Sequence, residues 1–180
     1  MTISTDATTV SEARAWLLEA REGGTKCPCC GQHVQVYKRH LNYSMAHVLF
    51  LLYEYFTHHE GWLHVPSYLN GKGVAARGGD WAKLAHWGLI VRSGEERQDG
   101  SARVGKWRIT SKGERFMEKA ISVPAYYLSY NNTILGWAER QLYVDEALRK
   151  AFDYCELMQG VRRPPPRDPQ NPNWPPPGFR

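Results

Sequence analysis

The residue pattern predicts an α+β chain, and three observations carry that prediction. Residues 45–58 are apolar almost all round, with Met45, Val48, Leu49, Phe50, Leu51, Leu52, Tyr53, Tyr55 and Phe56, the pattern of a helix buried on several sides. Residues 78–116 run in the order helix, strand, polar loop, strand, helix. Two short runs at 125–130 and 133–135 flank Asn131-Asn132, residues that accept the positive φ of a tight hairpin turn. With 180 residues, 42% of them hydrophobic and seven of them tryptophan, there is material for one domain of ordinary size plus extensions.

Each element has its own local signal. Thr9-Val10-Ser11-Glu12 matches a capping box and opens a helix over 10–22, with Val10, Ala13, Leu17 and Ala20 on one face and Gly23-Gly24 at its end. Val34 to Arg39 alternates as a short strand. Ser44 is the expected cap of the helix at 45–58. Trp62 to Val65 reads as a short strand, and Pro66 suits the first turn of a small helix from Pro66 to Leu69. Asn70 to Gly79 is a long glycine-rich connection. Asp80 is the expected N-cap of the next helix, Trp81, Leu84 and Trp87 share one of its faces, and Gly88 turns the chain out of it.

Leu89 and Val91 then alternate with Arg92 outward, and 93–104 is polar. Lys106 to Ile109 alternates with Trp107 and Ile109 inward. Thr110 or Ser111 caps a helix at 111–120 whose Phe116 and Met117 face the core. Val123-Pro124 breaks the chain before the hairpin. A last helix over 145–159, capped by Asp145, carries Leu148, Ala151, Phe152 and Cys155 as one apolar stripe. From Val161 the proline density favours an extended polyproline-II tail.

The expected organisation is therefore an N-terminal helix in 1–24, a cysteine-rich knuckle in 25–42, a central domain with its hairpin in 43–137, an amphipathic helix in 138–160 and a proline-rich tail in 161–180. The formal charge of +5 is unevenly spread. Residues 27–110 hold ten Lys and Arg against six Asp and Glu, and the tail from 161 holds four against one. A positive excess on the central segment and tail suits an anionic partner; an ordinary solvated surface is the competing reading. No run of 18 apolar residues predicts a membrane span, and the first residues have neither the basic start nor the apolar core of a secretory signal. A cytoplasmic location is expected. The chain shows no nucleophile–base–acid set, no phosphate-cradling glycine loop and no His-Glu metal motif, so it is not expected to be an enzyme.

The sharpest local motif is Cys27-Pro28-Cys29-Cys30-Gly31-Gln32-His33. Cys27 and Cys30 stand at knuckle spacing, in which two thiolates grip one zinc and the turn's N–H groups point at the sulfurs. A structural zinc needs four ligands, so the rest would come from Cys29, His33, His40 or a more distant histidine such as His64. A free-thiol turn packed on an aromatic ring and a redox pair are the alternatives.

Asp80 to Ile90 followed by Lys106 to Phe116 resembles the winged helix-turn-helix fold. "KLAHWGLI" followed by "KWRITSKGERF" is similar to the MarR- and PadR-type pattern, in which "L…GL(I/V)" and "(Y/W)-x-(L/I)-T-x-x-G" occupy these places. From the CPCCG knuckle to the hairpin, residues 25–137, the chain also resembles small bacterial and phage proteins carrying the same knuckle. The resemblance implies duplex DNA as partner and a role as a small regulator. Arg77, Lys83 and His86 would then lie on the recognition helix, Arg97 and Arg103 at the wing tip, and Lys106 and Arg108 on its outer strand, with Lys38 and Arg39 as further phosphate contacts. Glu95, Glu96 and Asp99 share that wing. A protein-interaction adaptor with the same fold is the alternative, its partner engaged by the proline-rich tail or the terminal helix. The helix at 145–159 is the expected homodimer contact.

Overall fold

In chain order the elements are α1 (Val10–Ala20), β1 (Thr25–Lys26), β2 (His33–Val34), β3 (Tyr37–His40), α2 (Tyr43–His58), β4 (Leu63–His64), α3 (Val65–Gly71), a 3₁₀ helix (Asp80–Ala85), β5 (Ile90–Arg92) and β6 (Lys106–Ile109). Then follow α4 (Ser111–Met117), β7 (Val123–Pro124), β8 (Tyr126–Tyr130), β9 (Thr133–Trp137), β10 (Gln141–Leu142), α5 (Val144–Leu148) and α6 (Tyr154–Gln159). The structure, a computed structural model, describes residues 9–74, 79–94, 105–149 and 153–161. It is α+β, and its described residues divide into two units: those within Met1–His40 and Ala125–Arg140, and those within Leu41–Pro124 and Gln141–Arg180.

In the first unit α1 starts at the expected capping box. The Thr9 amide donates to Glu12 Oε2 at 2.8 Å, and the Glu12 amide donates back to Thr9 Oγ1 at 3.3 Å. Those bonds from Thr9, its amide first, hold the Glu12 carboxyl below the usual range. Only Ala13 of α1 is buried. β1 and β2 pair antiparallel on either side of the cysteine turn. β8 and β9 form the expected hairpin, and Asn131 and Asn132 turn it at φ 47° and 59°. The hairpin's partner is β3, in sheet order β3-β8-β9. The pairing joins the hairpin to the 25–42 segment, across the boundary drawn at residue 43.

The second unit is built on α2, whose Met45, Ala46 and Val48 through Tyr53 are buried. Its cap is Asn42, not Ser44: the Met45 amide donates to Asn42 Oδ1 at 3.0 Å, and the Ser44 hydroxyl supports the same oxygen at 2.8 Å. The helix starts two residues early because Asn42, in extended backbone, can reach the amide three residues on. Against α2 pack α4, α5, the 3₁₀ helix and β6. The sheet runs β4-β6-β5, with Leu63 opposite Trp107 and Val91 opposite Arg108.

Trp81, Leu84 and Trp87 are all buried as expected, but Trp81 and Leu84 stand on a 3₁₀ helix and Trp87 on the turn that follows it. Spacing by threes matches a helix with three residues per turn, where every third side chain eclipses the last. Asp80 does not cap it. Gly79 takes the cap position at φ 64°, without a side-chain bond, and Asp80 instead pairs with Lys83. Gly88 leaves the segment at φ 71°, as its place after the apolar face predicts.

The helix expected over 145–159 is two helices. Arg149 interrupts it at φ 56°, and residues 150–152 lie outside the described residues. α5 is opened by Tyr143, whose amide donates to Glu146 Oε2 at 2.8 Å, while Asp145 forms an ion pair with Lys119. α6 buries no residue, and Cys155, read as a core position, is exposed. β7 and β10 pair antiparallel where the chain leaves this unit at Pro124 and returns at Gln141.

Candidate nucleic-acid interface and cysteine knuckle

The cysteine turn is closed by its own backbone. The Cys27 amide donates to Gln32 O at 2.8 Å, the Gly31 amide donates to Cys27 O at 2.9 Å, and Gly31 sits at φ 71°. That fold aims the amides of Cys30 and Cys29 at the Cys27 sulfur, which holds its thiol below the ordinary value. Desolvation, followed by the charge of Cys27, pushes the Cys29 thiol the other way. Cys27 is half-buried, whereas Cys29 and Cys30 are exposed.

His33 faces Lys26 across the β1–β2 pair, and its Nε2 lies 3.0 Å from Gln35 Oε1. An amide oxygen only accepts, so in the neutral ring Nε2 carries the proton and Nδ1 the lone pair. His40 is tilted against Tyr126, with centroids 5.1 Å apart. His64 Nδ1 accepts from the Ser67 amide at 3.4 Å, which makes it the cap of α3. Among the described residues no group of three or more His, Cys, Asp and Glu side chains is arranged to hold a metal ion. The donors present fit half of a structural zinc site: Cys27 and Cys30 at knuckle spacing, with the Cys27 thiol held below its ordinary value by the turn's amides.

The cations expected to meet DNA fall into three groups. Arg77, Arg97 and Arg103 lie outside the described residues. Lys38 and Arg39 are on β3 in the first unit, on opposite faces of its sheet. Lys83, His86, Lys106 and Arg108 are in the second unit. Lys83 is tied to Asp80, and His86 is exposed at the C-cap of the 3₁₀ helix. Lys106 is half-buried opposite His64, and Arg108 is exposed opposite the exposed Val91. Burial raises the Glu114 carboxyl, Glu118 adds to that, and the positive charge of Arg108 opposes it.

Two exposed cations of the second unit were not among those expected to bind. Arg92 ends β5, and Lys112 stands in the first turn of α4, where its Cδ lies 3.8 Å from where a Cβ on Gly88 would be. Lys112 was legible as the third residue of the T-x-x-G run, next to the glycine. The three strands β4, β5 and β6 carry no carboxylate.

The two halves of the motif, around Gly88 and Thr110, are bonded to each other. The Thr110 hydroxyl donates to Gly88 O at 2.6 Å and accepts from the Gly113 amide at 3.0 Å, and the Thr110 amide donates to Leu89 O at 3.1 Å. Comparison with protein-family models, with curated proteins and with solved structures returns no match for this chain.

Proposed function

We propose that the second unit is a winged helix-turn-helix module that binds the backbone of duplex DNA, and that Cys27 and Cys30 of the first unit hold a structural zinc. The fold part of this reading is supported by the order α2, β4, α3, 3₁₀ helix, β5, β6 and by a sheet in which the last strand lies between the other two. The observation that carries the DNA part is the outer face of β6, where Lys106 and the exposed Arg108 lie two residues apart in a sheet whose strands contain no carboxylate. The recognition segment is two turns of 3₁₀ helix, and its one lysine is paired with Asp80. Binding through phosphates with little base readout follows from that geometry. The same Asp80–Lys83 pair favours the second reading, a protein-interaction adaptor on the same fold, because it neutralises the cation nearest the groove.

Two phosphate contacts, from Lys106 and Arg108, predict that log K for a random duplex falls against log salt with a slope of about −2. Arg108→Gln is expected to reduce the slope by about 1, measured by fluorescence anisotropy across a salt series. Absence of binding at low salt would leave the adaptor reading.

For the metal, mass spectrometry of protein purified without chelator is expected to find about one zinc per chain. Cys27→Ser should lose it, since Cys27 is half of the C-x-x-C pair and the sulfur toward which the turn's amides point. Cys29→Ser should keep it, since that thiol is pushed toward its protonated form. Metal-free wild-type protein, or equal loss in both variants, counts against the knuckle.

A further inference from the structure

The sheet of the first unit has a composition that packing alone does not call for. β3, β8 and β9 together carry Tyr37, Tyr126, Tyr127, Tyr130 and Trp137, the cations Lys38 and Arg39, His40, and no carboxylate. Register sorts these residues by face. Arg39 pairs with Tyr127 and Tyr127 with Trp137, which makes one row across all three strands. Tyr37, Ser129 and Ile134 form the next row on the same face.

On this face Tyr127 is the buried floor, tilted against Trp137 with centroids 5.5 Å apart. The outer strands present exposed rings on either side of it: Tyr37 is 38% exposed and Trp137 is 42% exposed. The Arg39 guanidinium lies 4.6 Å over the Tyr37 ring. On the opposite face Lys38 covers Tyr126 at 3.9 Å, and His40 leans on the same ring, so that side is closed on itself.

We infer that the Tyr37–Arg39–Trp137 face binds single-stranded nucleic acid. Exposed rings two strand spacings and one row apart, about 12 Å, offer stacking platforms to unpaired bases of one strand. A guanidinium plane stacks on a base as well as on a ring, and its charge meets the adjoining phosphate. The occupant follows from charge and shape. A polyanion is attracted to strands that hold cations and no acid, and only an unpaired strand has base faces to stack on side chains. The inference uses the first unit alone and stands apart from the duplex site proposed for the second.

The test is anisotropy of labelled oligo-dU and oligo-U, which differ only in the sugar, with the full chain at low salt. Binding to at least one of them is expected, and a preference identifies the sugar. Trp137→Ala and Tyr37→Leu should each weaken it about tenfold, the loss of one stacked base, while Trp137→Phe keeps most of the affinity. Lys38→Gln, on the closed face, should weaken it less than about threefold, a screened charge effect. Duplex affinity should be unchanged in Trp137→Ala and Tyr37→Leu. Because Tyr37 is exposed, Tyr37→Leu tests the idea even where Trp137→Ala disturbs folding. No binding to either oligomer, or an affinity that Tyr37→Leu and Trp137→Ala leave unchanged, overturns the inference.

Discussion

Gly113→Ala is expected to destabilise the second unit by about 3 kcal/mol or more, at the upper end of the range for overpacking. A Cβ at Gly113 would stand 2.1 Å from Leu89 O and 2.8 Å from Ile109 Cγ1. The first of these is backbone, so no rotamer change relieves it. Moving α4 away would stretch the bonds that tie it to the preceding turn, from Thr110 Oγ1 to Gly88 O and from the Thr110 amide to Leu89 O. The glycine of the T-x-x-G run is therefore required by close approach, and its hydrogen-bonding partner is the threonine three residues earlier. Urea denaturation read as a change in midpoint at constant slope measures the effect. Gly136→Ala is the control: among the described residues, its chain neighbours aside, no atom lies within 4 Å of its Cβ position, and its φ is not positive, so a change within about 0.5 kcal/mol is expected. A Gly113→Ala shift as small as the control's would show that α4 is not held against Leu89.

Trp87→Ala should cost about 3–5 kcal/mol, the range for a large aromatic side chain removed from a core. Trp87 is 2% exposed, and its Nε1 donates to Pro124 O at 2.7 Å, which ties the end of the 3₁₀ segment to β7. Trp87→Phe separates the two contributions. It retains most of the apolar contact and removes the donor, for an expected loss of about 1–2 kcal/mol. Thermal melts followed by circular dichroism would show both. Equal losses in the two variants would mean that the hydrogen bond, not the filled volume, dominates at this position.

Signals that act within a few residues were legible in the sequence. The Thr9–Glu12 capping box, the Gly88 turn, the Asn131-Asn132 hairpin and Thr110 as the cap of α4 are all local. Each is a side chain bonding its near neighbours or a backbone angle that few residues adopt. The burial of Trp81, Leu84 and Trp87 was legible too, but not the helix type that buries them, because spacing by threes suits both. The caps at Asn42 and Tyr143 were missed in favour of Ser44 and Asp145. Ser44 supports the Asn42 cap, and Asp145 is drawn to Lys119, 26 residues away in the chain.

The candidate surfaces divide the same way. The Cys27–Cys30 spacing and the alternation of Lys106 to Ile109 could be read from the chain alone. The pairing of Arg92 with Trp107, which sets it on the face opposite Arg108, could not, nor could the pairing of Lys83 with Asp80. The sequence by itself determined the α+β class, the knuckle turn and the local starts and stops of most elements, since those depend on neighbours in the chain. Only the tertiary structure decided that the 125–140 hairpin joins β3, that the second sheet runs β4-β6-β5, and that the last helix breaks at Arg149. Strand partners distant in sequence are chosen by which surfaces cover one another, and no short stretch of residues contains that information.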